Sequence, residues 1–320
     1  MKALVLNNIN QALDYQEVEE PIFQEGHAVV YLKTAALNHR DVWIQKGQYA
    51  GIKFPSVLGS DGAGTSNGRD VLICPSINWA KNSKVQPKDF RILGLPDDGT
   101  FAEQISVPSE LIFDKPEHLS WVEAAALPLA GLTAYRSLFT KCDLQAGEKV
   151  LISGIGGGVA LFAMQFAIAA GCEVYVTSSS EEKIEKAIAL GAKGGANYND
   201  ATFAKKLQAE VGGFDVMIDS AAGEGFAQFA RLSNPGGRIS FFGGTRGNIM
   251  NLNPQMVFYK QISIFGTTMG SSEEFAEMLA FVTKHKIKPV VDATFTLSNG
   301  NAALEKMAQG SQFGKLVLTI

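Results

Sequence analysis

The stretch VLISGIGGGVALFAMQFAIAAGCEVYVTS, Val150 to Ser178, reads as a strand, a glycine turn, a helix apolar on nearly every face, and a second strand. This is a βαβ unit of about 30 residues with the glycines where the strand gives way to the helix. Gly154 permits a tight turn, Gly157 and Gly158 let backbone approach a pyrophosphate, and the small Ala160 lets the helix pack closely on the strand. The helix N-terminus adds unpaired N–H donors and the positive end of its dipole. Val159 fills the sixth place of the turn, a departure from GxGxxG, and is included among the cofactor-binding residues. The bland alternative, a structural glycine turn in some other α/β protein, is disfavoured by the strand and helix that flank it. The stretch is also uncharged from Val150 to Cys172 and longer than the roughly 20 residues of a bilayer span. Gly154, Gly156, Gly157 and Gly158 would each cost a continuous helix about 1 kcal/mol, so no membrane span is expected.

Outward from this unit, strand-like runs at 149–153, 173–177, 195–198, 215–219, 238–242 and 262–265 alternate with helix-length segments. That alternation predicts an α/β fold with a doubly wound, parallel, six-stranded sheet of the Rossmann type. Upstream, short β-like runs at 2–6, 28–35 and 71–74 are separated by Gly, Pro and Asn and predict a β domain. Ser120 and Glu123 form a capping box at the start of a helical texture, which marks the expected boundary. The β domain is expected over 1–119 and 270–320, and the dinucleotide-binding domain over 120–269. A length of 320 residues accommodates both. With 46% apolar and 19% charged residues the composition excludes disorder, and a net charge of -4 offers no field for a nucleic acid. Three scattered cysteines exclude a disulfide framework, and the N-terminal residues lack a secretion signal, so a cytoplasmic protein is expected.

The end of the second strand decides which dinucleotide fits, because NAD enzymes place a carboxylate there on the ribose diol. Ser178 stands at that position, within Thr177-Ser-Ser-Ser180, and Lys183 follows one helical turn on. Hydroxyls, no negative charge and a cation favour NADPH over NADH, although the segment contains no arginine. The same serines also read as helix caps, pairing Ser178 with Glu181 and Ser179 with Glu182. Ligands of open parallel sheets lie beyond the strand C-termini. There the loops FGGT (242–245) and FGTTMG (265–270) offer Gly243, Thr267 and Met269 to a nicotinamide carboxamide, with ordinary loop glycines as the alternative.

Five further blocks, LNHRDVWIQKGQY (37–49), FPSVLGSDGAG (54–64), DDGTFAEQISVP (97–108), EAAALPLAGLTAYRSL (123–138) and FGKLVL (313–318), give the chain a family likeness along nearly its whole length. It resembles the zinc-less quinone oxidoreductase branch of the medium-chain dehydrogenase/reductase superfamily. The resemblance implies a GroES-like domain built from both ends of the chain, and a homodimer joined through 261–265. Zinc-dependent cousins carry Cys where this chain has Asn38 and a His-Glu pair where it has Ser60-Asp61, so no catalytic zinc is expected. A structural zinc lobe would lie within 74–95, where Cys74 is the sole cysteine, and His39 lacks companion ligands.

The implied reaction is hydride transfer from NADPH to a quinone or to an activated double bond, the β carbon of an α,β-unsaturated carbonyl. Tyr49 stands at the position of the proton donor in related enoyl reductases, and a phenol can deliver its proton to an enolate. Its alternative role is an aromatic lid over the pocket. Asn38 is implied to bond near the nicotinamide ribose or the substrate, and Asp41 to orient its loop; both also suit a structural turn. Lys183 and Tyr198 are implied to hold the 2'-phosphate, and Lys315 to contact the cofactor or the domain junction. Trp43, Ile52, Phe54 and Trp79 around Tyr49 suit a small hydrophobic acceptor. Rival readings are a non-catalytic NADPH-binding sensor or structural protein, and an enoyl-thioester reductase whose carrier phosphates would need cations such as Lys81, Lys84, Lys88 or Arg91.

Overall fold

A computed structural model describes residues 1–22, 24–79 and 84–320. The chain divides into two compact units, Met1–Leu132 with Gly270–Ile320, and Thr133–Met269.

The second unit holds six strands: β1 (Lys149–Ile152), β2 (Glu173–Ser178), β3 (Gly194–Asn197), β4 (Phe214–Asp219), β5 (Ser233–Phe241) and β6 (Ser263–Gly266). They form one sheet in the order β3-β2-β1-β4-β5-β6, and every pairing is parallel. Helices cover both faces of such a sheet, which is why Val150, Leu151 and Ile152 are all apolar and fully buried. Helix α1 (Gly158–Ala169) buries Ala160 to Met164, Phe166 and Ala167, so its apolar surround is core packing. Helix α2 (Glu181–Ala189) buries only Ile184 and Ala187 and turns its charges to solvent. Strand order reverses between β1 and β4, and the crevice outside their C-termini is where open α/β sheets receive ligands.

In the first unit the ten-residue strand His27–Ala36 is the organiser. It pairs antiparallel with Asp61–Ser66 on one side and Lys315–Thr319 on the other. The register sets Ala36 opposite both Asp61 and Val317, and Leu37 N–H donates to Leu316 O at 3.0 Å. Residues 38, 61 and 315, remote in the chain, are thereby brought to one end of one sheet. Beneath it lies a core that includes Leu4, Leu37, Ile44, Phe101, Leu304 and Leu318.

Residues 120–132 lie with this first unit, so the boundary expected at 119 is displaced. Ser120 does cap the helix Trp121–Ala126: its Oγ accepts from Glu123 N–H at 3.2 Å, and the Glu123 carboxylate accepts from Ser120 N–H at 2.8 Å. That helix is bonded to the β domain through Thr34 Oγ1, which donates to Trp121 O at 2.7 Å, and the helix that follows, Pro128–Tyr135, through Leu129 N–H, which donates to Asp61 Oδ1 at 2.8 Å. The texture changes at 120 because the secondary structure changes there, while the unit continues to Leu132. Among the described residues no helix is long and apolar enough to cross a membrane.

Candidate functional site

The turn between β1 and α1 has the conformation its glycines allow. Gly154 sits at φ +67° and Gly156 at +118°, where side chains are strained. A Cβ on Gly154 would come within 2.7 Å of Ser220 Oγ. Above Gly157, by contrast, the nearest atom to a built Cβ is Gly154 O at 3.7 Å, so backbone is open to a ligand there. Gly157 is the N-cap of α1, with Gly158, Val159 and Ala160 as its first residues. The β1 and β4 ends are tied together by Asp219, which is 3% exposed and accepts from Ser153 Oγ, from Ala221 N–H at 3.3 Å and from Ala222 N–H at 2.6 Å. Burial pushes its carboxyl above the usual range. Sequence reading passed over Asp219, although a carboxylate ending an apolar strand was the available signal.

At the end of β2, Ser178 is buried and its hydroxyl is engaged locally, accepting from Ser180 N–H at 3.2 Å and donating to Ile155 O at 3.5 Å. The N-cap of α2 is Ser180, whose Oγ accepts from Lys183 N–H at 3.3 Å, and not Ser178 or Ser179. Lys183 reaches back over the turn: a Cβ on Gly156 would meet its Cδ at 2.9 Å and its Nζ at 3.4 Å. Tyr198 N–H donates to Ser178 O at 3.0 Å, and the Arg246 guanidinium lies 4.9 Å from the Tyr198 ring centre. The arginine that the local segment lacks is thus supplied from the loop after β5. No pattern within the chain linked positions 198 and 246.

Beyond β5 and β6, a Cβ on Gly243 would collide with Ser220 O, so that glycine is required by backbone packing. Thr267 N–H continues the sheet to Phe241 O at 3.0 Å, while its Oγ1 is buried and has no hydrogen-bond partner among the described residues. Met269 is buried at φ +44°.

In the first unit, Asn38 caps the helix His39–Gln45, with its N–H donating to Asp41 Oδ2 at 2.8 Å. Its amide is held from both sides: Nδ2 donates to Asp61 Oδ2 at 2.9 Å, and Oδ1 accepts from Lys315 Nζ at 2.7 Å. Lys315 Nζ also donates to Leu37 O at 2.7 Å and to Asp61 Oδ2 at 2.9 Å. All three of its donors are therefore taken inside this unit. Arg40, also buried, donates through one terminal nitrogen to Ser60 Oγ at 2.6 Å and Leu93 O at 2.8 Å, and its guanidinium lies 5.3 Å from the Tyr49 ring centre. Asp41 is fully buried with Oδ1 unbonded, and burial pushes its carboxyl up to about 6 against the pull of Arg40.

Tyr49 is half-buried against the core of the first unit, as is Ile52. Its hydroxyl makes no hydrogen bond to a described residue. Other members of its expected aromatic surround are engaged differently: Trp79 is buried against Phe90 at 4.9 Å, Trp43 meets the exposed His39 edge-on at 5.7 Å, and Phe54 is 45% exposed. Arg91 pairs with Asp97 at 2.7 Å, Lys84 and Lys88 are exposed, and Lys81 lies outside the described residues.

The family described as alcohol dehydrogenase GroES-like domain matches residues 24–117, and that described as zinc-binding dehydrogenase matches 158–284. The zinc-type alcohol dehydrogenase-like protein YogA of Leptosphaeria maculans is 36% identical over 340 aligned positions, covering 96% of this chain and 94% of that protein. Quinone oxidoreductase of Mus musculus is 31% identical over 316 positions, covering 95% of this chain and 92% of that protein. The crystal structure of an NAD-dependent alcohol dehydrogenase superposes with a TM-score of 0.93 at 32% identity, covering 100% of both chains. Sheet order, glycine turn and relatives agree: the chain belongs to the medium-chain dehydrogenase/reductase superfamily.

Proposed function

We propose that the chain is a zinc-independent, NADPH-dependent oxidoreductase that passes hydride to a quinone or to the β carbon of an α,β-unsaturated carbonyl compound. The observation that carries this reading is the pair of buried cations in the first unit. Asn38 and Ser60-Asp61 stand where zinc-dependent cousins keep their ligands, yet Lys315 is bonded to Asn38 and Asp61, and Arg40 to Ser60. A divalent cation there would have to displace a buried ammonium from its carboxylate and face a guanidinium. An amide, a hydroxyl and a paired carboxylate also lack the imidazole and thiolate character that suits zinc. These residues do not fit zinc, whatever the zinc-type names of some relatives.

A dinucleotide fits better. The open backbone above Gly157, the free N–H groups at the start of α1 and the unpartnered Thr267 Oγ1 are the groups it would engage, together with backbone near Gly243 and Met269. Lys183 and Tyr198 are assigned to a 2'-phosphate. When bound, the reduced nicotinamide supplies a hydride equivalent. The chain's own contribution is to stabilise the charge that develops on the acceptor's carbonyl oxygen. Tyr49 holds a proton at Oη for that oxygen, with the Arg40 guanidinium over its ring. Asn38 and Asp41 act as positioning residues for the loop that carries Tyr49. The edge strand β6, with Phe258 and Tyr259 exposed just before it, supports a homodimer through that edge. Three free, buried cysteines accord with a reducing, cytoplasmic setting.

The test is the loss of nicotinamide absorbance when the protein receives NADPH or NADH with a panel of quinones and enones. Turnover preferring NADPH is expected, and Tyr49→Phe should lower kcat about 100-fold on enones with little change in NADPH affinity. NADPH binding with no turnover on any acceptor would replace this reading by a non-catalytic sensor. Turnover confined to acyl thioesters would replace it by an enoyl-thioester reductase.

A further inference from the structure

We propose that Arg246 is the residue that makes the adenosine end of the second unit select a 2'-phosphate, with Tyr198 holding its guanidinium in place before the dinucleotide arrives. The inference rests on the NADPH reading and adds to it a residue that neither the glycine turn nor the end of β2 contains.

The charge that recognises a phosphate dianion has to come from somewhere other than Ser178. That hydroxyl is buried and bonded to Ser180 N–H and Ile155 O. Lys183 extends over Gly156, which puts its ammonium beside the glycine turn. Tyr198 is fastened to the end of β2 by its own backbone, and the cation above its ring is Arg246.

Arg246 is delivered there by an anchored loop. Its N–H donates to Ala221 O at 2.9 Å, Gly223 N–H donates to Gly247 O at 3.1 Å, and Gly247 N–H donates to Gly244 O at 3.0 Å. Gly223, at φ +72°, has no room for a side chain, because a Cβ would come 2.6 Å from Arg246 O. The loops after β4 and β5 are thus clipped together with Arg246 at the clip. Among the described residues no carboxylate pairs with its guanidinium, which is solvent-exposed.

A guanidinium offers two parallel N–H donors that match phosphate oxygens, which a lysine ammonium cannot do. Stacking on an aromatic face leaves those in-plane donors unused and reduces the ordering cost on binding. A ribose with a free 2'-hydroxyl gains nothing from this arrangement beyond a neutral hydrogen bond. Arg246 therefore acts on the difference between the two dinucleotides.

The experiment is calorimetric titration of the full chain with 2',5'-ADP and with 5'-AMP, for the wild type, Arg246→Gln, Arg246→Lys and Lys183→Ala. Arg246→Gln should weaken 2',5'-ADP by about 10-fold or more, the scale of a lost hydrogen bond to a charged group, and leave 5'-AMP within about two-fold. Arg246→Lys should recover part of the loss by restoring charge without the fork. Equal weakening of both ligands would mean that Arg246 only shapes the loop, and would overturn the proposal. So would an unchanged 2',5'-ADP affinity while the wild type and Lys183→Ala still differ, with the NADPH reading left standing. A wild type that binds both ligands alike would overturn the NADPH reading and this inference together.

Discussion

The turn at 154–158 and the cluster of Asn38, Arg40, Asp61 and Lys315 are built by opposite means. The turn consists of adjacent residues, makes its site from backbone, and needs only a permissive φ at Gly154 and Gly156. The cluster gathers side chains from three distant parts of the chain, positions them by strand register, and fills itself with its own cations. A backbone cradle survives changes in its neighbours and presents unpaired donors to whatever anion arrives. A side-chain cluster whose polar groups satisfy one another is rigid but intolerant: removing one member strands the rest. Under the proposed function the two regions serve different tasks, the first binding and the second holding a loop in one geometry.

Breaking the cluster should give the largest effect. Lys315→Met leaves Asp61 buried and uncompensated, and should cost about 3–5 kcal/mol of stability in urea denaturation. Asp61→Asn combined with Lys315→Met should recover much of that loss, because the pair then contains no lone charge. A single-variant cost under about 1 kcal/mol would mean that the cluster does not hold the unit together.

The turn should respond in binding more than in stability. Gly154→Ala forces a Cβ into the left-handed region at about 1–2 kcal/mol and pushes it toward Ser220 Oγ. Dinucleotide affinity should fall by about 10-fold or more, while the rest of the fold stays intact by circular dichroism. Stability falling with unchanged affinity would contradict a cofactor role for the turn.

A pH series sharpens the comparison on a smaller scale. Asp41 has its carboxyl raised to about 6 in the folded chain, above its unfolded value of 3.8. Between these values the folded state holds a proton that the unfolded chain has released, so this group's contribution to stability declines as pH rises from 4 to 6. The contribution amounts to about 3 kcal/mol at most. Asp41→Asn should therefore gain relative to the wild type between pH 4 and 7 in denaturation midpoints, and a constant difference across that range would show that Asp41 is not raised.

The contrast also explains what was legible in the sequence. The βαβ unit, the alternating strands and the capping box at Ser120 depend on local spacing, which periodicity reports directly. The unit boundary was misplaced by the same locality, because the helix after Ser120 is bonded to Thr34, far upstream. Asn38 and Lys315 were singled out through family resemblance alone. Their bonding to one another follows from Ala36 pairing with both Asp61 and Val317, a register that no local pattern encodes. Arg40 and Arg246 were passed over for the same reason, as each acts on an aromatic residue that tertiary structure brings to it.

Under the proposed function, buried protein cations stand where a zinc ion would otherwise act. This is tested most directly by assaying NADPH-dependent turnover after exhaustive chelation, with the metal content of the same sample measured. The account predicts full activity with far less than one zinc per chain and no response to added zinc. Activity lost on chelation and restored by stoichiometric zinc would contradict it.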